Sequence, residues 1–498
     1  LNWVITVAQF PRKKSSQSRS IFRSMVQTTP QEVLEAFERI WGYSTFRSPQ
    51  GEIVQAILSG QDSLIVMPTG GGKSICFQLP ALLQQGLTLV ISPLVALMEN
   101  QVAELREKRL AAGLLHSQLP KTDRLRTLQQ LEQNYLRLLY LSPETLFTPK
   151  VWELLLRPQV QINALILDEA HCLVQWGDTF RPAYRRLGMV RPTLLRHKPG
   201  SQIPIAAFTA TANPQAQAVL RSVLNLNNPQ EFLLNPYRPN LHLRVQTVWT
   251  PRGRRQRLYQ FLQQHQGTAG LIYVRTRKDS ETLAQDLQRL NYKTQPYHAG
   301  LSSAQRRTIE TDWQNDRLQF VVCTNAFGMG INKPNVRWVT HFQAPLLLSE
   351  YVQEVGRAGR DGLDSMALAL VSEPTGWLDN SDRQRWQYFL TQLQSQYETA
   401  QREIKKLPPT GDLRILSRKF PQAPLLLSLL HSAGQVEWED PFLYRRLAGS
   451  VQRNPVTDQR QAAQEMQRYL QTRQCRWGYI LQAFGFVKGI SNFSCGHC

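Results

Sequence analysis

Ser63-Leu-Ile-Val-Met-Pro-Thr-Gly-Gly-Gly-Lys-Ser74 decides the fold class, because a wholly apolar strand runs into a glycine-rich turn and then into a helical pattern. A strand without polar alternation has to be buried on both faces, as in a parallel sheet covered by helices. The same texture repeats outward from this stretch. Leu87-Thr-Leu-Val-Ile91, Leu136-Arg-Leu-Leu-Tyr-Leu141, Ala164-Leu-Ile-Leu167 and Ile205-Ala-Ala-Phe208 read as strands, with helical patterns over 74–85 and 94–107 between them. Asn235-Pro-Tyr-Arg-Pro-Asn240 reads as a linker by its prolines. Beyond it, Ala269-Gly-Leu-Ile-Tyr-Val274, Gln319-Phe-Val-Val-Cys323 and Arg337-Trp-Val-Thr-His-Phe342 supply strands for a second sheet. Two α/β lobes in tandem are expected.

The chain has 498 residues, too many for one ordinary core, and 42% of them are hydrophobic, which suits a globular protein. No apolar run is long enough to span a bilayer. The 58 Lys and Arg against 37 Asp and Glu leave a formal charge of +21, which favours a polyanionic partner over a membrane. Residues 1–30 are basic and Ser-rich, with no acid before Glu32, and read either as a disordered leader or as an organelle transit peptide. Cys76, Cys172 and Cys323 lie in apolar stretches and read as small core residues, whereas Cys475, Cys495 and Cys498 crowd toward the end. From about residue 376 the texture changes. Residues 383–405 are polar, Gln-rich and helical in pattern, 424–432 are apolar, and 435–444 read as strand, turn and strand, which suits a small winged helix.

Three glycines, Gly70, Gly71 and Gly72, let successive backbone N–H groups face a phosphate, and the next helix adds its positive end. Lys73 can reach the outer phosphates of a nucleotide, and the Ser74 hydroxyl can ligate Mg²⁺. The strict form of this motif has glycine where Met67 stands. Leu165-Ile-Leu-Asp-Glu-Ala-His171 ends a buried strand in two carboxylates, which is costly unless a cation or a proton transfer employs them. Asp168 is expected to hold Mg²⁺ through water, and Glu169 to position and deprotonate the attacking water.

Asp168-Glu-Ala-His171 together with Gly70-Gly-Gly-Lys-Ser74 resembles a superfamily 2 helicase, and between residues 40 and 362 the motifs of the RecQ family appear in order. The resemblance implies two RecA-like parallel-sheet lobes, the first over 31–235 and the second over 236–375. A helical insert over 376–470 and a partial zinc module over 471–498 would follow them. Trp41-Gly-Tyr-Ser-Thr-Phe-Arg-Ser-Pro-Gln50 is similar to the family's adenine-recognition segment, with Tyr43 stacking on the base, Gln50 pairing with it and Arg47 in support. Tyr351-Val-Gln-Glu-Val-Gly-Arg-Ala-Gly-Arg-Asp-Gly362 is the most specific stretch, and implies Arg360 as arginine finger, Arg357 as its partner and Gln353 as nucleotide sensor.

For DNA, Ser92-Pro-Leu-Val-Ala-Leu-Met-Glu-Asn-Gln-Val102 matches a strand-contact motif in which Asn100 replaces a common Asp. Thr209 and Thr211 of Phe208-Thr-Ala-Thr-Ala212 are implied as hydroxyl donors, and Thr324-Asn-Ala-Phe-Gly-Met-Gly-Ile-Asn-Lys-Pro334 as the counterpart in the second lobe. Cys172-Leu-Val-Gln-Trp-Gly-Asp-Thr-Phe-Arg181 matches the aromatic-rich loop, where Trp176 and Phe180 would stack on bases and Arg181 would meet a phosphate. Val174 and Asp178-Thr179 depart from the family's usual Ser and His-Asp.

Cys475, Cys495 and Cys498 are similar to part of a four-cysteine zinc module, with His497 as a further donor. The family's winged helix and terminal helical domain would follow the last residue, and 376–470 could supply a substitute wedge. The implied activity is an ATP-dependent DNA helicase, moving 3′ to 5′ in DNA repair and recombination. It would use ATP and Mg²⁺, with Zn²⁺ in the tail, on single-stranded and duplex DNA in the bacterial cytoplasm or, through the leader, in an organelle. An ATP-driven strand-annealing or RNA-remodelling motor and a silent DNA-binding scaffold are the alternatives, and intact Lys73, Asp168, Glu169 and Arg360 weigh against the scaffold.

Overall fold

The computed structural model describes residues 29–68, 70–174, 181–327, 333–447, 453–486 and 493–497. Its first sheet contains β1 (Ser63–Val66), β2 (Leu87–Ile91), β3 (Ala112–Leu115), β4 (Leu138–Leu141), β5 (Ile162–Leu167), β6 (Ile205–Thr209) and β7 (Gln230–Leu233). All seven are parallel, in the order β3-β4-β2-β5-β6-β1-β7. β1, β2, β4 and β6 are buried along their whole length, as their unbroken apolar runs require. β7, largely exposed at the sheet edge, is too polar to stand out in the sequence.

The second sheet is also all parallel, in the order β10-β11-β9-β12-β13-β8. Its strands are β8 (Leu241–Val248), β9 (Ala269–Tyr273), β10 (Thr294–Tyr297), β11 (Phe320–Cys323), β12 (Val336–His341) and β13 (Ser365–Ser372). Pro296, which removes a ladder donor, sits on the edge strand β10, where that loss is tolerated. Two parallel sheets in tandem with helices packed on them form the RecA-like α/β architecture. Among the described residues no helix is long and apolar enough to cross a membrane.

After β13 the helix Ser381–Glu403 leads to β14 (Thr410–Asp412), two short helices (Leu413–Lys419 and Ala423–Ser432) and the hairpin β15 (Val436–Trp438) and β16 (Leu443–Arg446). The three strands pair antiparallel, and the unit has its own core of Leu393, Tyr397, Leu427, Leu430, Trp438 and Tyr444. It docks on the first lobe. Phe442 meets Phe147 and Trp152 edge-on at 5.9 and 5.7 Å, and Arg186 stacks over Phe147 while donating to the Pro441 carbonyl at 3.0 Å.

Both flanks of this unit are rooted in the second lobe. Arg254, buried beneath that sheet, holds Asp379 at 3.0 Å and Asp382 at 2.9 Å where the Ser381–Glu403 helix begins. The helix Pro455–Gln471 starts beside the first lobe, with Gln459 donating to the Val174 carbonyl at 3.3 Å, and buries Met466 and Tyr469 in the second lobe's core. The next helix, Arg476–Ala483, adds Trp477, whose indole N–H donates to the Leu241 carbonyl at 2.8 Å.

Candidate nucleotide and nucleic-acid site

Because every strand of a lobe runs the same way, all carboxyl ends share one edge, the usual place for ligands in such sheets. In the first lobe β6 lies between β1 and β5. The glycine turn after β1, the two carboxylates after β5 and the Thr209–Thr211 segment after β6 therefore meet. Gly70 and Gly72 have φ of 85° and 78°, the left-handed region that glycine reaches without strain. A Cβ added at Gly72 would also displace the Gln50 amide from its place against the turn.

The helix Lys73–Leu83 starts immediately after the turn. Lys73 Nζ is buried, lies 4.0 Å from Glu169 Oε1, and has no hydrogen-bond partner among the described residues. An ammonium left this way at a helix N-terminus beside a glycine cup fits an incoming polyphosphate. Ser74 Oγ accepts from the Gln101 amide at 2.9 Å.

Asp168 and Glu169 are 5% and 6% exposed. The Asp168 carboxyl is pushed up to about 6 by burial and by the Glu169 charge, against the pull of Lys73. Ser92 donates to it at 3.3 Å. Such a buried acid at the carboxyl end of β5 fits a divalent cation that would favour its ionised form. Burial also works to raise Glu169, but Lys73, His171 and Arg357 overturn that and hold it at about 2. Glu169 adopts φ 48°, a strained value for a residue with a side chain, which turns its carboxylate toward Lys73 and His171.

Several expected residues take other places. Thr209 and Thr211, read as donors to a DNA strand, are 0% and 2% exposed. Thr209 Oγ1 lies 3.2 Å from His171 Nδ1, donates to the Thr211 carbonyl at 3.1 Å and accepts from the Thr211 N–H at 3.3 Å. This chain joins the Glu169 side to the interlobe seam and does not reach solvent. Gln50, expected against adenine, donates its amide to the Gly71 carbonyl at 3.1 Å, while its oxygen accepts from Arg47 N–H at 3.0 Å. Tyr43, 5.7 Å from Phe37, and Arg47 are exposed. Arg181 is held by the Glu144 carboxylate at 3.1 Å and donates to the Pro93 carbonyl at 2.7 Å. It braces the start of the Ser92–Val102 motif. Asn100 is exposed on the helix Val95–Glu107, and Trp176 and Phe180 lie outside the described residues.

Across the seam, the helix Leu348–Val355 delivers Gln353, and the turn behind it delivers Arg357 and Arg360. Arg360 packs against the phosphate turn: a Cβ on Gly70 would lie 3.8 Å from Arg360 Cδ. Its guanidinium is lowered to about 10 by burial and by the Arg357 and Arg238 charges, so it remains cationic at neutral pH. Gln353 lines a small crevice between the lobes with Pro68, Thr211 and Arg238. A larger, open cleft is bounded by Pro93, Gln118 and Arg181 of the first lobe and by Asn325, Glu350 and Arg357 of the second. Glu99 and Arg307 pair across it at 3.0 Å.

A brace in the linker escaped the sequence reading. Arg238 donates to the carbonyls of Gly356 at 3.3 Å and Ala358 at 2.9 Å, and also to that of Gly359. Asn240 donates to the carbonyls of Gly359 and Leu363, both at 2.8 Å. The segment read as a spacer is thus the mount of the arginine turn, and its prolines concealed that.

In the tail, the Cys495 N–H donates to Cys475 Sγ at 3.3 Å, which brings these two residues together. His497 stacks on His242 at 4.4 Å, and Cys498 lies outside the described residues. Among the described residues no three His, Cys, Asp or Glu side chains gather as a metal site.

Residues 47–219 match the family model "DEAD/DEAH box helicase" and 253–362 match "Helicase conserved C-terminal domain". The structure is similar to DEAD-box helicase Mss116 bound to ssRNA and UDP-BeF, with TM-score 0.57 and 17% identity over 69% of this chain and 75% of that one. It is also similar to Mycobacterium smegmatis helicase Lhr bound to ssDNA and AMP-PNP, with TM-score 0.56 and 20% identity over 86% and 61%. At these identities the likeness concerns the fold. An ATP-dependent DNA helicase RecQ of Pasteurella multocida is 39% identical over 70% of this chain and 54% of its own length. Another, from Synechocystis sp., is 53% identical over 94% of this chain and 98% of its own. With that identity along nearly the whole relative, and with the nucleotide turn, carboxylates and arginine turn gathered at one seam, the chain belongs to the RecQ family of ATP-dependent DNA helicases.

Proposed function

We propose that ATP is held between the lobes, hydrolysed there, and made to drive 3′ to 5′ movement along single-stranded DNA that unwinds duplexes in repair and recombination. The observation that carries the reading is Arg360 packed against Gly70, an arginine stem of one lobe beside the glycine turn of the other, which supports a finger role for Arg360. In this scheme Gly70, Gly71, Gly72 and Lys73 take the phosphates, and Arg357 and Arg360 meet the charge that develops on the transferred group. Ser74 and Asp168 would hold Mg²⁺, which would supply charge neutralisation at the phosphates. Phosphates that draw Lys73 away from Glu169 remove the largest force lowering that carboxyl. Glu169 then becomes a better proton acceptor only once substrate is bound. Gln353 reads the nucleotide at the seam. Tyr43 and Arg47 take the base, and Gln50 joins them by exchanging its bond to Gly71.

The DNA strand is assigned to the interlobe cleft, where Arg181 lies on the first-lobe side, with Asn100, Trp176 and Phe180 proposed as further contacts. For the tail, Cys475, Cys495 and Cys498 are proposed as zinc ligands, and metal determination on the purified chain should return about one zinc per molecule. The bacterial relatives support work on the nucleoid in the cytoplasm. Strand displacement on 3′-tailed and 5′-tailed duplexes with ATP and Mg²⁺ tests the reading, which requires activity on the 3′-tailed substrate. Hydrolysis stimulated by RNA but not by DNA would move the chain to RNA remodelling, and no hydrolysis would leave a scaffold.

A further inference from the structure

The carboxyl edge of the second sheet carries a surface that the motor machinery does not use. β13 ends in the turn 373–378, where Trp377 is 89% exposed and Leu378 51%. Trp249, 61% exposed, directly follows the neighbouring strand β8, and the Glu373 N–H donates to the Val248 carbonyl at 3.0 Å, so the two segments leave the sheet side by side. Tyr388, 68% exposed, follows on the outer face of the Ser381–Glu403 helix.

The turn is firmly built. The Glu373 carboxylate accepts from the N–H groups of Thr375 at 2.7 Å and Leu378 at 3.0 Å. A braced turn that holds a tryptophan in water gains nothing for the fold by doing so. The surrounding charge indicates what could cover it. The acids here are already engaged: Glu373 with the turn, and Asp379 and Asp382 with Arg254. Exposed cations flank the patch on Arg252, just past Trp249, and on Arg383, whose stem lies 3.6 Å from a Cβ position on Gly376. Aromatic faces interleaved with guanidinium groups suit unpaired nucleotides, because stacking accepts any base and the cations follow the phosphates.

Position favours the same ligand. From β11, whose following loop lines the cleft at Asn325, the sheet order runs β9, β12, β13, β8. Four strand spacings cover roughly 19 Å, the reach of about six stacked nucleotides. We propose that Trp377 and Trp249, with Arg383 and Tyr388, form a stacking platform for single-stranded DNA, extending the strand's path beyond the cleft over the far edge of the second lobe. This rests on the DNA-motor reading above.

The test compares binding of two labelled oligonucleotides by fluorescence anisotropy, using the full chain. One is the shortest that stimulates hydrolysis fully, and the other is longer by about six nucleotides. Trp377→Ala should weaken the longer one roughly tenfold and leave the shorter one unchanged, and Trp249→Ala/Trp377→Ala should weaken it further. Trp377→Phe should keep most of the affinity. An iodouracil-containing long oligonucleotide should cross-link to the peptide carrying Trp377. Equal loss at both lengths, or no loss at either, overturns the platform and leaves the patch to a protein partner. Failure of the wild type to bind DNA at all overturns the motor reading instead.

Discussion

Replacing Arg238 by alanine should slow hydrolysis without weakening nucleotide binding, although Arg238 is assigned no contact with the nucleotide. Its guanidinium donates to three carbonyls in the turn that carries Arg357 and Arg360. Hydrogen bonds from a charged donor contribute about 1.5–3 kcal/mol each when buried, and burial dominates the environment of this one. The turn would not come away, because Asn240 still holds Gly359 and Leu363, and the Gly359 N–H still donates to the Val336 carbonyl at 2.8 Å. The result is a loosened finger. Loss of an arginine finger costs about 10³–10⁵ in rate, and displacement of a catalytic group by about 1 Å costs on the order of 10². We therefore expect kcat for DNA-stimulated hydrolysis to fall about 10²-fold, with KM for ATP changed less than about threefold. Arg238→Lys should recover part of the loss, since one ammonium can serve fewer carbonyls than the planar fork. The decisive measurement is a double-mutant cycle: in an Arg360→Ala background, Arg238→Ala should cost almost nothing more. Additive losses, or a kcat within about threefold of wild type, would refute the mount.

Lys73→Ala should lower hydrolysis by about 10³-fold or more while the equilibrium affinity for single-stranded DNA stays within about threefold; loss of both would show that the two roles are not separate. Burial works to raise Glu354, but Arg275 and His341 hold it at about 2. A depressed acid adds stability above its unfolded value and loses it as pH falls through the folded one. Glu354→Gln should therefore flatten the dependence of Tm on pH between about 4.5 and 2, and an unchanged profile would count against the buried pair. Phe442→Ala removes the aromatic that docks residues 376–447 on the first lobe, where such truncations cost about 3–5 kcal/mol. Limited proteolysis should then cut within 376–447 before either lobe, and uniform cleavage kinetics would contradict the docking role.

Much of the motor could be read from the chain because its parts are local in sequence. Residues 63–74 hold a strand, a glycine turn and a helix start in one run, and the turn's geometry depends on those glycines alone. Unbroken apolar runs such as Leu87–Ile91 need only burial to become strands. β7 and β10 lie at sheet edges, carry polar residues or a proline, and gave no comparable signal. Thr209, Arg181 and Gln50 bond to partners 38, 88 and 21 residues away, contacts that no local pattern announces, because a hydroxyl, a guanidinium or an amide takes the nearest available partner in space. Arg238 was missed for the same reason, since its acceptors stand about 120 positions further along.

The unit spanning 376–447 rests on the first lobe while both its ends are anchored in the second. The chain thus passes between the lobes three times, once through Asn235–Asn240 and twice through the flanks of this unit. Any widening of the seam has to stretch or pivot all three crossings together. Such a linkage limits how far the two lobes can part.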